Sequence, residues 1–151
     1  MRAIVTGGAG FLGTHLCRAL DKAGYDVLVV DLKKNPEYQT EQVDVRNAEE
    51  MDRVIRDADI VFHLAAYLSV SDSVADPHSY VENNIIGSLN VLEAMRKNDI
   101  RNFVFSSTAA VYGEPPVIPI TEDSRTMPIN PYGATKLAME GMISSYVYNH
   151  G

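Results

Sequence analysis

The sequence predicts an α/β fold in three layers, with a doubly wound parallel sheet between helices on both faces. Three observations carry that prediction. Short β-rich apolar runs alternate with helical patterns along all 151 residues, the mark of successive βαβ units. Gly7, Gly8, Gly10 and Gly13 cluster directly behind the first apolar run, where a strand turns into a helix. The length is one domain's worth, enough to bury roughly 70% of the unfolded surface and support a core.

Taken in order, strands are expected at about residues 2–6, 26–31, 42–45, 60–64 and 103–107. Helices are expected at about 11–23, 48–56, 79–97 and 131–149. Val81, Ile85, Leu89, Leu92 and Met95 recur at spacings of three and four, which gives the third helix one apolar stripe. Gly24 follows the first helix as a stop signal, and Pro77 and Pro131 stand where helices can begin. Five of the seven prolines lie between Pro115 and Pro131, marking a long ordered loop of the kind that carries substrate-facing residues.

Composition narrows the function. Thirteen basic against twenty acidic residues give a net charge of −7, with no Lys/Arg block, which argues against nucleic acid or an anionic membrane as partner. The apolar start from Met1 to Val5 runs straight into glycines, too short for a signal peptide or membrane span, so the expected compartment is the cytoplasm. Cys17 is the single cysteine, which excludes an internal disulfide and a cysteine cluster for zinc, and no metal is expected. Its neighbours His15, Leu16 and Leu20 suggest a small buried filler.

The glycine cluster points to a dinucleotide. Gly7, Gly10 and Gly13 stand where a tight turn, a close approach of backbone to a pyrophosphate and close helix–strand packing each require a residue without a side chain. Asp31 closes the second strand eighteen residues past Gly13. A carboxylate there accepts from the adenosine ribose hydroxyls and repels a 2′-phosphate, favouring NAD over NADP. Lys33 and Lys34 soften that preference unless they form a solvated turn. Asp44, after the third strand, has two readings: contact with the adenine edge, or a cap for the helix near Ala48. Leu64, Ala65 and Ala66 supply small residues where the fourth strand's end must pass close to the cofactor. His63 reads as a core histidine with satisfied ring nitrogens rather than a catalyst.

The other end of the chain can move a proton. Tyr132 and Lys136 stand four apart on a predicted helix, so they share one face. A free tyrosine ionises near about pH 10, and a nearby ammonium favours the phenolate. Spacing alone is weak, but Ser106, Ser107 and Thr108 end the fifth strand, where a parallel sheet places hydroxyls beside the cofactor. The competing reading of these hydroxyls is that of turn or cap residues.

These residues in order resemble the extended short-chain dehydrogenase/reductase family, most closely its UDP-glucose 4-epimerase branch. The resemblance spans the entire chain: the glycine signature, Asp31, Asp44-Val45, the end of the fourth strand, the run from Glu82 to Ser88, the run from Phe105 to Gly113, and the run from Asn130 to Lys136. It implies a Rossmann-type NAD-binding domain in which Phe11 and Leu12 contact the pyrophosphate and Val45 and Asn83 belong to the cofactor site. It further implies that Thr108 is the hydroxyl partner, Tyr132 the acid/base and Lys136 the ribose-binding modulator. Nucleotide-sugar dehydratases carry acidic residues just past the Ser/Thr, where this chain has Ala109 and Ala110, so a dehydratase is disfavoured. The implied reaction is transient oxidation of a UDP-hexose to its 4-keto form and reduction from the other face. The resemblance also implies homodimers built on the helices at 79–97 and 131–149, and a C-terminal substrate lobe that these 151 residues do not contain. The expectation is therefore the cofactor half of a longer enzyme. Another dehydrogenase or reductase of the same family, a natural half that binds NAD without turnover, and a nucleotide-sensing module stand as alternatives.

Overall fold

The computed structural model describes residues 1–150. Its centre is β1 (Arg2–Thr6), which pairs in parallel with β2 (Asp26–Asp31) on one side and β4 (Ile60–His63) on the other. The remaining strands, β3 (Thr40–Gln42) and β5 (Phe103–Phe105), extend the sheet to the order β3-β2-β1-β4-β5. Central strands of a parallel sheet are covered on both faces, which is why β1 and β2 read as near-continuous Val/Ile/Leu runs. Side chains alternate between the two layers. Ala3, Val5, Val27 and Val29 pack with Cys17 and Leu20 of α1 (Phe11–Lys22). Ile4, Leu28, Val30 and Val61 face the other way, onto Met51 and Val54 of α2 (Ala48–Val54) and Val91 and Met95 of α5 (Gly87–Lys97).

The other helices are α3 (Val70–Ala75), α4 (Pro77–Tyr80) and α6 (Pro131–His150). A π-helical turn over Val81–Ile86 joins α4 to α5, and a 3-10 turn over Ala109–Tyr112 follows β5. Pro77 occupies the first turn of its helix under the Asp76 cap, and Gly24 stands just past α1 at φ +86°. Among the described residues no helix is long and apolar enough to cross a membrane.

Several boundaries differ from expectation. The third strand, expected at 42–45, pairs over Thr40–Gln42. Its partner β2 ends at Asp31 opposite Gln42, so Val43 and Val45 lie past the paired residues and are buried in the core cluster shared by the sheet, α2 and α5. The fourth and fifth strands stop at His63 and Phe105, residues paired with each other, and the chain beyond them leaves the sheet. The helix expected at 79–97 starts two residues earlier and is wound more loosely across Val81–Ile86. Helix α3 was not expected, because VSDSVA carries no apolar period; a Ser69 side chain that accepts from the Asp72 amide starts it.

Candidate functional site: a cleft at the glycine turn

Register sets the site. Thr6 lies opposite Val30 on one side and His63 on the other, so Gly7, Asp31 and Leu64 come side by side at the carboxyl ends of β1, β2 and β4. The chain crosses between sheet halves at this point, and the crevice beyond the carboxyl ends at such a switch is where open α/β sheets bind ligands. Gly7 turns at φ +72°, and a Cβ on Gly13 would stand 2.2 Å from the Gly7 carbonyl oxygen. Bare glycine thus lets α1 begin against the turn. The helix opens on Gly10 with no side-chain cap, leaving first-turn amides free for an anion. Phe11 beside them is 86% exposed and Leu12 is exposed too, so no apolar burial accounts for either at this helix start.

A cleft of about 230 Å³ opens at this point, and its walls include Gly7, Gly10, Asp31, Asp44, Val45, Leu64, Ala65, Ala66 and Asn83. Nine residues singled out from sequence therefore meet around one cavity. Asp31 does more than face it. Its Oδ2 accepts from the Ala9 amide at 3.0 Å and its Oδ1 from the Lys33 amide at 2.9 Å, so the carboxylate also braces the glycine loop. The cap reading of Asp44 is corrected: Asn47 caps α2 by accepting from Glu50, because it stands directly before the first helical residue. Asp44 instead accepts from the Arg46 guanidinium at 2.6 Å, and that ion pair holds its carboxyl below the usual range.

Helix α6 carries Tyr132 and Lys136. Tyr132 is 9% exposed, and its hydroxyl has no hydrogen-bond partner among the described residues yet reaches solvent. Lys136 is 2% exposed. Its Nζ donates to the Ser106 carbonyl at 2.8 Å and stands 4.7 Å from the centre of the Phe105 ring. Burial pushes this ammonium down to about 8 from 10.5. Thr108 Oγ1 accepts from the Ala110 amide at 3.2 Å, so the cap reading of this hydroxyl holds. Capping engages the oxygen and leaves the hydroxyl proton available to a ligand.

His63 is the satisfied core histidine expected. Its Nδ1 pairs with Thr6 Oγ1 at 2.6 Å and its Nε2 with Ser88 Oγ at 2.8 Å. Full burial, with Lys136 nearby as a smaller cause, pushes it down to about 3. Ser88 donates onward to the Asn84 carbonyl, so Nε2 carries the imidazole proton and Nδ1 accepts. Cys17 is likewise a buried filler, its thiol pushed up to about 11 by burial.

Three contributors escaped the sequence reading. Buried Asn35 donates to the Gly8 carbonyl at 2.8 Å and ties the β2–β3 connection to the glycine loop. Asn84 accepts from the Tyr67 amide, donates to the Tyr67 carbonyl, and donates to Thr135 on α6, joining the cleft wall to that helix. The π-helical turn carries it there, and such turns recur at functional sites. Glu140, one turn past Lys136, accepts from the Ser107 hydroxyl.

The model of the NAD dependent epimerase/dehydratase family matches residues 3–151. The chain is similar to the UDP-glucose 4-epimerase of Lactobacillus helveticus, at 41% identity over 95% of this chain and 46% of that protein. It is similar to that of Azospirillum brasilense at 42% identity over 99% of this chain and 46% of that one. Among solved structures, UDP-glucose 4-epimerase from Brucella ovis in complex with NAD superposes with a TM-score of 0.94 at 35% identity, over 99% of this chain and 49% of that one. The Thermotoga maritima enzyme with UDP-glucose gives 0.95 at 36% identity, over 100% of this chain and 52% of that one. The chain thus spans about half the length of the relatives it matches. A glycine-loop cleft, a helix α6 tied to the cleft wall through Asn84 and Thr135, and a family match from residue 3 onward agree: the chain belongs to the NAD dependent epimerase/dehydratase family.

Proposed function

We propose that these residues are the cofactor-binding half of an NAD-dependent nucleotide-sugar epimerase of the UDP-glucose/UDP-galactose type. The observation that carries the reading is the convergence of nine residues singled out from the sequence on one cleft, with α6 tied to the cleft wall through Asn84 and Thr135. The cleft suits NAD: a turn with no room for side chains, uncapped first-turn amides for the pyrophosphate, and the Asp31 carboxylate for the ribose. NAD, when bound, supplies the acceptor and donor for a hydride. Tyr132 takes the proton of the sugar 4-hydroxyl and returns it when the centre is reduced from the opposite face, with the 4-keto sugar turning in between. Thr108 donates its free proton to the same sugar oxygen, and Lys136 holds the ribose and favours the tyrosinate. The positions after Thr108 are Ala109 and Ala110, which place no carboxylate there to eliminate water. The grip on the sugar nucleotide falls to a substrate lobe of the kind the resemblance implies.

The solved relatives include complexes with UDP-glucose and with NAD and UDP, and these support a UDP-hexose as substrate. A homodimer on the outer faces of α5 and α6 is the proposed assembly, supported by the exposed Met142, Val147 and Tyr148 of α6. The proposed compartment is the cytoplasm, supported by a single buried cysteine and no disulfide.

The test is conversion of UDP-galactose to UDP-glucose by the complete enzyme that contains these residues together with a substrate lobe. Turnover without net NADH is expected, and lasting NADH release would indicate a dehydrogenase instead. Tyr132→Phe is expected to lower turnover by about 10²–10⁴-fold with NAD still bound. Retained turnover removes Tyr132 as the acid/base.

A further inference from the structure

Thr108 lies beyond the ladder: β5 is three residues long and its pairing with β4 ends at Phe105 opposite His63. The last bond from sheet to this segment is the Ser106 amide to the His63 carbonyl at 3.1 Å. Helix α6 takes over with two side chains one turn apart. Lys136 Nζ donates to the Ser106 carbonyl at 2.8 Å, and the Ser107 hydroxyl donates to the Glu140 carboxylate. Positions 132, 136 and 140 share one helical face, so the clamp and the acid/base belong to one rigid surface. The two bonds at Ser106 leave the chain free to turn about that residue. The bond at Ser107 removes that freedom, and the following residue is Thr108.

We propose that Glu140 is a positioning residue: through Ser107 it fixes the Thr108 hydroxyl relative to Tyr132. The inference rests on the assignment of Thr108, Tyr132 and Lys136 as the acid/base face. Glu140 itself touches neither sugar nor cofactor in this reading. Its effect on rate comes from geometry, where displacement of a reacting group by about 1 Å costs on the order of a hundredfold.

The experiment compares Glu140→Ala, Glu140→Gln, Ser107→Ala and the double alanine variant in the NAD-loaded complete enzyme that contains these residues and a substrate lobe. Glu140→Ala is expected to lower kcat by at least about tenfold with KM and bound NAD unchanged. Glu140→Gln keeps an oxygen acceptor for Ser107 and is expected to restore most of that loss. The double variant is expected to match the singles, since both remove one contact. Unchanged kcat in Glu140→Ala, a glutamine variant as poor as alanine, or additive losses would each overturn the proposal. Hydrogen exchange over residues 106–110 supplies a readout independent of turnover: faster exchange in both alanine variants but not in Glu140→Gln is expected, and unchanged exchange overturns the clamp. Should Glu140→Ala fail to fold, Ser107→Ala carries both measurements. Full turnover by Tyr132→Phe would sink the acid/base assignment instead, leaving exchange to decide the clamp alone.

Discussion

Lys136 shows how much of this site is arranged against stability. An ammonium 2% exposed has one carbonyl and one aromatic face for company, and its protonation falls to about 8 because water has been removed from it. Such perturbation by burial is characteristic of functional groups. Asp31 carries two duties at once. It braces Ala9 and Lys33 through their amides while facing the cleft that would hold the adenosine ribose. Asp31→Ala is therefore expected to weaken NAD binding and to reduce the preference for NAD over NADP by about tenfold, the worth of a hydrogen bond to a charged group. Titration of both cofactors by fluorescence measures it, and an unchanged ratio of dissociation constants would remove the ribose role.

Among the elements, α1 depends most on what is missing from it. Its start is seated on the glycine turn, and a methyl at position 13 would collide with Gly7 and with the Gly8 Cα 2.6 Å away. Both contacts are backbone, so no side chain can move aside. Gly13→Ala is expected to destabilise the fold by about 1–3 kcal/mol and to weaken NAD binding, read from urea midpoints with and without cofactor. A midpoint equal to that of the wild type would show that α1 shifts freely. The glycine turn, β1 and β2 were legible in the sequence because their causes are local: a close approach needs glycine, and a strand buried on both faces needs an unbroken apolar run. The third strand was misplaced because Val43 and Val45 are buried in the core past the end of the ladder, and periodicity reads burial without telling whether the backbone is paired.

Across the whole molecule, polar links tie the two halves of the site together. Thr6, His63, Ser88, Asn84 and Thr135 form a buried chain of hydrogen bonds from β1 to α6. His63 at its centre protonates at about 3 when folded against 6.5 as the ordinary value. The unfolded chain then binds more protons between those values, so this histidine's share of stability is present above pH 6.5 and is lost as the pH falls from there toward 3. Urea midpoints measured downward from pH 6.5 are expected to fall less steeply in His63→Gln than in the wild type. Equal slopes would assign the acid sensitivity to carboxylates alone.

The sequence by itself determined the layers, the central strands, the glycine turn, Asp31 and the Tyr132–Lys136 pair, because each follows from neighbours within a turn or a strand. The tertiary structure alone decided what holds these groups in place. Asn35 meets Gly8 across 27 positions, Ser107 meets Glu140 across 33, and Asn84 meets Thr135 across 51. No period or motif encodes such pairs: their partners are chosen by the order of strands in the sheet and by a π-helical turn that re-aims one asparagine.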